Sequence, residues 1–511
     1  MKQLTILIVV IIAYSASISA IKRPNATKQP DAKKRPNIVV ILSDDVGFEE
    51  YGMFGIREGA SNTPNIDKLS QKGVAFKTTY AQSICVPSRA VFISGNYGVN
   101  TGSYDNSLSY LPNVRGRINR DKERLPLFTK VAKDAGYKVA IAGKWHHILG
   151  GWIPDDKDIL GVDTYCMWNG SKRGYERVLD TILSYEPTWE AKNLLPRYWK
   201  PMYIQNGKLL KTKLEDYGPD ILSDFICDFM EQEADSEKPF LAYYTMALAH
   251  GVHCPTPRDT LNGDTPNNND YKWSTKKGQH YFRSQIRYMD ELIKKINDKA
   301  HELGIADNTI FIYTSDNGTV SLAKSRRVEY GVHVPLVIWG AGIEQRGLTD
   351  ELTDFTDILP TIADFAGITV DKPYDGKSLK PFLIGEKDET KEVIYSFPGI
   401  SRLVRTKDFM LEAVCPLYGY PKGRFYKTNG SCDGRGYENI TDNPKYIKER
   451  AMFDSLLNVY PATLPESFDD PIWKLGHMNR GYKVFTGKRK RNNHLVLPTL
   501  YKFYDESFGS N

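Results

Sequence analysis

The sequence predicts an α/β fold: a mostly parallel central sheet flanked by helices, with a smaller C-terminal α+β subdomain containing an antiparallel sheet. Three observations carry that reading. Short, nearly continuous apolar runs alternate with amphipathic helical patterns, as strands buried on both faces of a parallel sheet do. Four of five such runs end in polar groups able to do chemistry, and ligands of open α/β sheets bind beyond the carboxyl ends of the strands. After residue 386 the pattern shifts to shorter runs around turn residues.

Taken in order, "MKQLTILIVVIIAYSASISA" opens with Lys2, an apolar stretch from Leu4 to Ala13 and small residues at Ala16, Ser17, Ser19 and Ala20. This predicts a signal peptide over 1–20 and an exported protein, secreted or periplasmic. The stretch is short for a bilayer span, and no later segment is long and apolar enough, so no stable membrane insertion is expected. Residues 21–35, "IKRPNATKQPDAKKR", read as a flexible leader. A large domain is expected over 36–386 and the C-terminal subdomain over 387–511.

The strands of the large domain are read from "NIVVILSDD", "KVAIAGKWHH", "PFLAYYTMALAH", "NTIFIYTSDNG" and "VPLVIWG". "LPLFTKVAKDAG" and "SQIRYMDELIKKINDKAHELG" supply helices between them. In the C-terminal part, "KEVIYSF" and "SRLVRTKDFMLEAV" read as antiparallel strands with "TKD" at a turn. The chain has 511 residues, 41% hydrophobic and 25% charged, enough for this two-part organisation. Its formal charge of +6 is too mild to indicate nucleic-acid binding and is compatible with an anionic substrate. Six cysteines are too few for a disulfide scaffold in a chain of this size, and none shows metal-ligand spacing such as CxxC. Cys415 and Cys432 lie close enough in sequence for a local bridge, a pairing the sequence leaves open.

The strand ends carry the chemistry. Asp44 and Asp45 end the first, Lys144, His146 and His147 the second, His250 and His253 the third, Asp316 and Asn317 the fourth. Three carboxylates and an amide offer oxygen, which suits a hard divalent cation. The alternative makes Asp44 a helix cap and "SDNG" a plain turn. In "SICVPSRAVFISG", the stretch from Pro87 reads as a helix, so Cys85 lies at or just before its N-terminus. A helix N-terminus stabilises anions and depresses a thiol pKa; the alternative is a buried, inert Cys.

"CVPSRAVFISG" resembles the signature of the sulfatase family, and the other motifs resemble the rest of that family's site in the same order. "NIVVILSDDVGF" is similar to its opening metal motif, and "GYKVAIAGKWHHILG" to its Gly-Lys-Trp-His segment. "PFLAYYTMALAHGVHCP" resembles its strand ending in His-x-Pro, and "TSDNGTVSLAKSRRVEYGVHVPLVIWG" its Asp-Asn-Gly segment with a following Lys. "RLVRTKDFMLEAV" is similar to its C-terminal hairpin. The resemblance, over roughly residues 36–415, is to the formylglycine-dependent, arylsulfatase-like type I sulfatases of the alkaline phosphatase superfamily. It makes 36–386 the catalytic domain.

The resemblance implies that a maturation enzyme converts Cys85 to formylglycine (3-oxoalanine), whose hydrate supplies a gem-diol nucleophile. It implies one Ca²⁺ held by Asp44, Asp45, Asp316, Asn317 and the converted Cys85. Arg89 would steady the formylglycine, and Lys144 and Lys324 would clamp sulfate oxygens. His253 would protonate the leaving oxygen, and His146 would take the proton that drives elimination. Lys324 lies five residues before Glu329, as in the family pattern, with Arg326 and Arg327 as neighbouring competitors. The implied substrate is a sulfated carbohydrate or polysaccharide, with Lys144, His253, Lys324 and His250 as substrate contacts. Two departures border the pocket: His147 and Ile148 precede Leu149, and "EYGVHVP" carries Tyr330 and His333 where Gly and Arg are usual. His250, His147 and His333 are either substrate contacts or local packing.

Arg115, Arg117, Arg120, Lys122 and Arg124 form a basic cluster that could face a polyanionic glycan. Trp152, Trp168, Trp189 and Trp199 could stack on sugar rings; the alternatives are a solvated charge run and core aromatics. Asn25, Asn169, Asn429 and Asn439 head Asn-x-Ser/Thr sequences, relevant only in a glycosylating host. Two other functions fit less well. A phosphate or phosphonate ester hydrolase of the same superfamily would carry two zinc ions, the second where Lys144 and Lys324 stand here. A non-catalytic glycan-binding homologue would have lost these residues.

Overall fold

The computed structural model describes residues 35–56, 63–101, 103, 125–144, 160–168, 196–320, 323–324, 328–398, 401–414 and 422–460. The expected signal peptide and the expected leader up to residue 34, with His146, His147, Arg326, Arg327, the basic cluster, Trp152, Trp189, Asn25, Asn169 and Cys415, lie outside them.

The main sheet contains β1 (Asn37–Ser43), β2 (Val74–Tyr80), β3 (Lys138–Lys144), β4 (Thr164–Trp168), β5 (Ile204–Gln205), β6 (Lys208–Leu209), β7 (Phe240–Thr245), β8 (Thr309–Ser315), β9 (His333–Gly340) and β10 (Gly347–Asp354). Their spatial order is β10-β2-β9-β8-β1-β7-β3-β4-β5-β6. The block β8-β1-β7-β3-β4 is parallel throughout. β9 runs antiparallel to both β8 and β2, so the sheet is mostly, not wholly, parallel, as expected. An apolar run has a burial pattern but no polarity, so direction is set by the connection from β8.

Helices α1 (Pro64–Lys72), α2 (Cys85–Ser94), α3 (Phe128–Asp134), α4 (Gly218–Glu233), α5 (Lys276–Glu302), the single turn α6 (Glu329–Val332), α7 (Ile358–Phe365) and α8 (Ile447–Asn458) accompany the sheets. β1 explains why both sheet faces need cover. Ile38, Val40 and Leu42 pack with Phe92 of α2, Phe128 of α3 and Ile362 of α7. Val39 and Ile41 pack on the opposite face with Ile66 of α1, Ile226 of α4 and Ile293 of α5. Each such side chain contributes about 2 kcal/mol on burial.

The C-terminal subdomain is an antiparallel sheet of β11 (Ile394–Ser396), β12 (Arg402–Arg405), β13 (Phe409–Val414), β14 (Arg424–Lys427) and β15 (Glu438–Asn439), in sequence order. Its hairpin turn falls at Thr406–Asp408, and Phe453 and Leu457 of α8 pack on Leu411 and Phe425. Cys432 carries a free thiol. Among the described residues no helix is long and apolar enough to cross a membrane.

Candidate active site

Register brings the acidic pairs together. β1 and β8 are neighbouring parallel strands with Ser43 opposite Ser315, so Asp44–Asp45 and Asp316–Asn317 leave the sheet side by side. β7 lies on the other flank of β1 and pairs with β3, Thr245 opposite Gly143. A Cβ on Gly143 would stand 1.8 Å from the Thr245 carbonyl oxygen. Only glycine lets β3 pass there and bring Lys144 to the same edge. Asp45 adopts a left-handed conformation, φ 64°, which Asp tolerates better than most residues. Its backbone N–H donates to Asp316 Oδ1 at 3.1 Å.

Cys85 is the first residue of α2 and is 1% exposed. Its Sγ lies 3.1 Å from Lys324 Nζ, 3.7 Å from Lys144 Nζ and 3.8 Å from Asp44 Oδ1. Lys144 also pairs with Asp44, and Lys324 Nζ lies 2.7 Å from Asp45 Oδ1. Arg89, one turn along α2, holds Asp316 Oδ2 through Nε at 2.9 Å and Nη2 at 2.8 Å. It also donates to the Lys144 carbonyl at 3.2 Å and to the Thr245 hydroxyl. Three buried carboxylates thus face three buried or nearly buried cations.

Of the two readings of the thiol, burial excludes the one in which the helix N-terminus depresses its pKa. Burial pushes the Cys85 pKa up to about 12, and the pull of Lys144 and Lys324 does not offset it. The helix N-terminus does not produce a thiolate here, because water is excluded from the sulfur.

The residues fit a hard cation. The carbonyl oxygen of Asn317 is buried without a hydrogen-bond partner, while its amide nitrogen donates to Asp45 Oδ1 at 2.8 Å. Ligand atoms of Asp44, Asp45, Cys85 and His250 all lie within 4.8 Å of one another. Asp316 completes the acidic edge, with Oδ2 turned to Arg89 and Oδ1 to Asp45 N.

His250 is half-buried, with Nε2 3.6 Å from Asp45 Oδ2. Its Nδ1 lies 2.7 Å from the Gly251 carbonyl oxygen. A carbonyl only accepts, so Nδ1 carries the hydrogen and Nε2 is bare. Burial, then Lys324 and Lys144, lower its pKa well below the usual value and keep it neutral. Arg197, which sequence reasoning missed, donates to the same Gly251 carbonyl and stacks over the Trp168 ring at 4.7 Å. Nothing in its local sequence marks it.

His253 is buried, with Nδ1 3.4 Å from Gln285 Oε1. Three other residues turn out to be packing. His333 is buried, stacks on Phe48 at 3.7 Å between centroids, and bonds the Lys77 carbonyl through Nε2 at 2.7 Å. Trp168 and Trp199 are buried core residues, and Trp199 Nε1 donates to the Pro255 carbonyl at 2.8 Å. These two indoles do not present faces for stacking on sugars.

A family model described as Sulfatase matches residues 36–368, more than half of the chain. A "Sulfatase" of Formosa agariphila is 27% identical over 458 residues, covering 76% of this chain and 80% of the relative. Arylsulfatase A of Homo sapiens is 26% identical over 401 residues, covering 72% of each. Among solved structures, Ps i-CgsB in complex with k-i-k-neocarrahexaose superposes with a TM-score of 0.66 at 21% identity, covering 88% of this chain and 99% of that one; this likeness speaks for the fold.

Proposed function

The chain belongs to the sulfatase family of sulfuric ester hydrolases, and from that premise we propose that it is an exported, formylglycine-dependent sulfatase acting on a sulfated carbohydrate. The observation that carries the reading is the placement of Cys85 between Lys324, Lys144 and Asp44. With its pKa near 12, the thiol itself is protonated and a poor nucleophile at neutral pH. Conversion to formylglycine would supply a hydrated aldehyde, with one hydroxyl to attack sulfur and a second to let sulfate leave. Calcium, held by Asp44, Asp45, Asp316 and Asn317 beside residue 85, would supply Lewis-acid polarisation of the sulfate oxygens.

Each role falls to a residue with a stated geometry, apart from His146. Lys144 and Lys324 hold the sulfate oxygens as charge develops. Burial opposes the Lys324 charge, but the carboxylates of Asp45 and Asp44, with Asp316, outweigh it and keep the amine protonated. Arg89 fixes Asp316 and the ends of β3 and β7, and so the bed of residue 85. His253 donates the proton to the leaving oxygen from Nε2, its Nδ1 being held by Gln285. Burial lowers the His253 pKa and makes its protonated form a stronger acid. His146 takes the proton that drives elimination. His250 offers its bare Nε2 to a substrate hydroxyl.

The neighbour bound to neocarrahexaose supports a carbohydrate substrate. A two-zinc phosphate or phosphonate hydrolase is disfavoured by the two amines beside Cys85. The test is release of inorganic sulfate from a panel of defined sulfated oligosaccharides, with phosphate monoesters alongside, by protein co-produced with a formylglycine-generating maturation enzyme. Sulfate release from a subset of the glycans is expected. Preferential phosphate release, or no turnover by fully converted protein, would overturn the reading.

A further inference from the structure

We propose that the five-stranded C-terminal sheet positions the active site, with Arg405 and Glu412 as positioning residues that act through Glu329 on the segment carrying Lys324 and Asn317. Arg405, on β12, is 1% exposed and pairs with the buried Glu329 carboxylate. The same Glu329 oxygen accepts from Tyr80 at 2.6 Å and Tyr437 at 3.2 Å. From β13, Glu412 Oε2 accepts the backbone N–H of Glu329 at 2.8 Å, and its other oxygen meets Arg424 at 2.8 Å. Side chain and backbone of one residue at the start of α6 are therefore both held by the C-terminal sheet.

That hold reaches the site by short steps. The Gly331 carbonyl in α6 accepts the N–H of Gly318 at 3.1 Å, next to Asn317. A Cβ on Gly318 would lie 2.5 Å from the Tyr330 carbonyl oxygen, so the approach is as close as the backbone allows. Lys324 N and Ala323 N both bond the Thr319 carbonyl. Ala323 packs in one cluster with Val328, Tyr330 and, from the C-terminal sheet, Met410 and Tyr426. A second hold acts upstream of Cys85. Phe397 N donates to Gln82 Oε1 at 2.9 Å, and Ser396 Oγ donates to the Ala81 carbonyl at 2.7 Å. Gln82 N donates in turn to Ser88 Oγ in α2, which bonds the Asp316 carbonyl.

Of the segments that meet at the Cys85 sulfur, the one carrying Lys324 and the one carrying Cys85 itself are thus held by one sheet, which among the described residues contributes no ligand to the cluster. A buried ion pair stabilises a fold no better than a packed apolar pair of similar size. What the planar Arg405 fork adds is fixed direction.

The proposal rests on the sulfatase reading for its kinetic readout and on the proposed cation site for its binding readout. Full-length protein would be prepared as wild type, Arg405→Met, Arg405→Lys, and Arg405→Met combined with Glu329→Gln, which leaves no buried charge alone. A core variant in α5, Ile296→Ala, controls for lost stability. The measurements are kcat and KM on an aryl sulfate, calcium affinity by chelator competition, and Tm. In folded Arg405→Met and in the double variant, kcat and calcium affinity are each expected to fall about tenfold or more, with KM little changed. Arg405→Lys should recover part of both, and Ile296→Ala should lower Tm while sparing both. Folded Arg405 variants that keep both kcat and calcium affinity within about twofold of wild type would overturn the proposal. If the wild type turns over no sulfate ester, the sulfatase reading fails and calcium affinity alone decides: a loss in the Arg405 variants upholds the proposal, and retention overturns it.

Discussion

Lys324 Nζ and Cys85 Sγ are 3.1 Å apart across 239 positions of sequence. That contact puts a fixed positive charge where the sulfate oxygens would gather negative charge. Replacing Lys324 by Met should lower kcat on an aryl sulfate by about 10²–10³-fold, the usual effect of losing one preorganised charge donor. KM should change much less. Steady-state kinetics on folded, converted protein checks this; an equal rise in KM at constant kcat would assign Lys324 to ground-state binding instead.

Asn317 offers a buried carbonyl oxygen with no hydrogen-bond partner, beside three buried carboxylates. Chelation should therefore abolish turnover and lower Tm, and added calcium should restore both. Asn317→Ala should weaken calcium binding by about 10–100-fold. Isothermal titration of chelated protein measures it, and unchanged affinity would exclude Asn317 as a ligand.

Burial, with a smaller effect from Arg405, holds the His333 pKa at about 3 against an ordinary 6.5. Between those values the unfolded chain takes up a proton that the folded chain refuses. The stability contributed by His333 is thus intact above pH 6.5 and falls as pH drops toward 3, by about 1.4 kcal/mol per unit at the steepest. His333→Phe keeps the stack on Phe48 and removes that titration. Urea unfolding at pH 7 and pH 4.5 should show a stability loss smaller by about 2 kcal/mol in the variant. Equal losses in both proteins would show that His333 titrates normally in the fold.

The legible parts of this molecule are those in which local pattern and burial agree. β1, β3, β7 and β8 are apolar on successive residues because helices cover both faces, and their polar ends stand out as departures from that pattern. β2 and β10 were missed because Lys77, Thr78, Thr79 and the acidic residues of "GLTDELTD" break the apolar run. Their membership depends on pairing with each other and, for β2, with β9. Cys85, Lys144 and Lys324 were found through motifs, but their mutual distances belong to the sheet register and not to any window of sequence. Arg197 and Arg405 carry no local signal, since each matters through one carbonyl or carboxylate far along the chain. His333 was legible only as either a substrate contact or local packing, and the fold decides for packing by turning the ring onto Phe48.

The most direct measurement is the mass of the peptide containing Cys85 from a preparation whose turnover has been recorded. Conversion of thiol to aldehyde exchanges S for O and removes two hydrogens, a loss of about 18 Da, with the hydrate seen as partial return of one water. Across preparations with different degrees of conversion, sulfatase turnover should rise in proportion to the converted fraction. Full turnover from protein whose Cys85 peptide retains the thiol mass would contradict formylglycine dependence and remove residue 85 from the role of nucleophile.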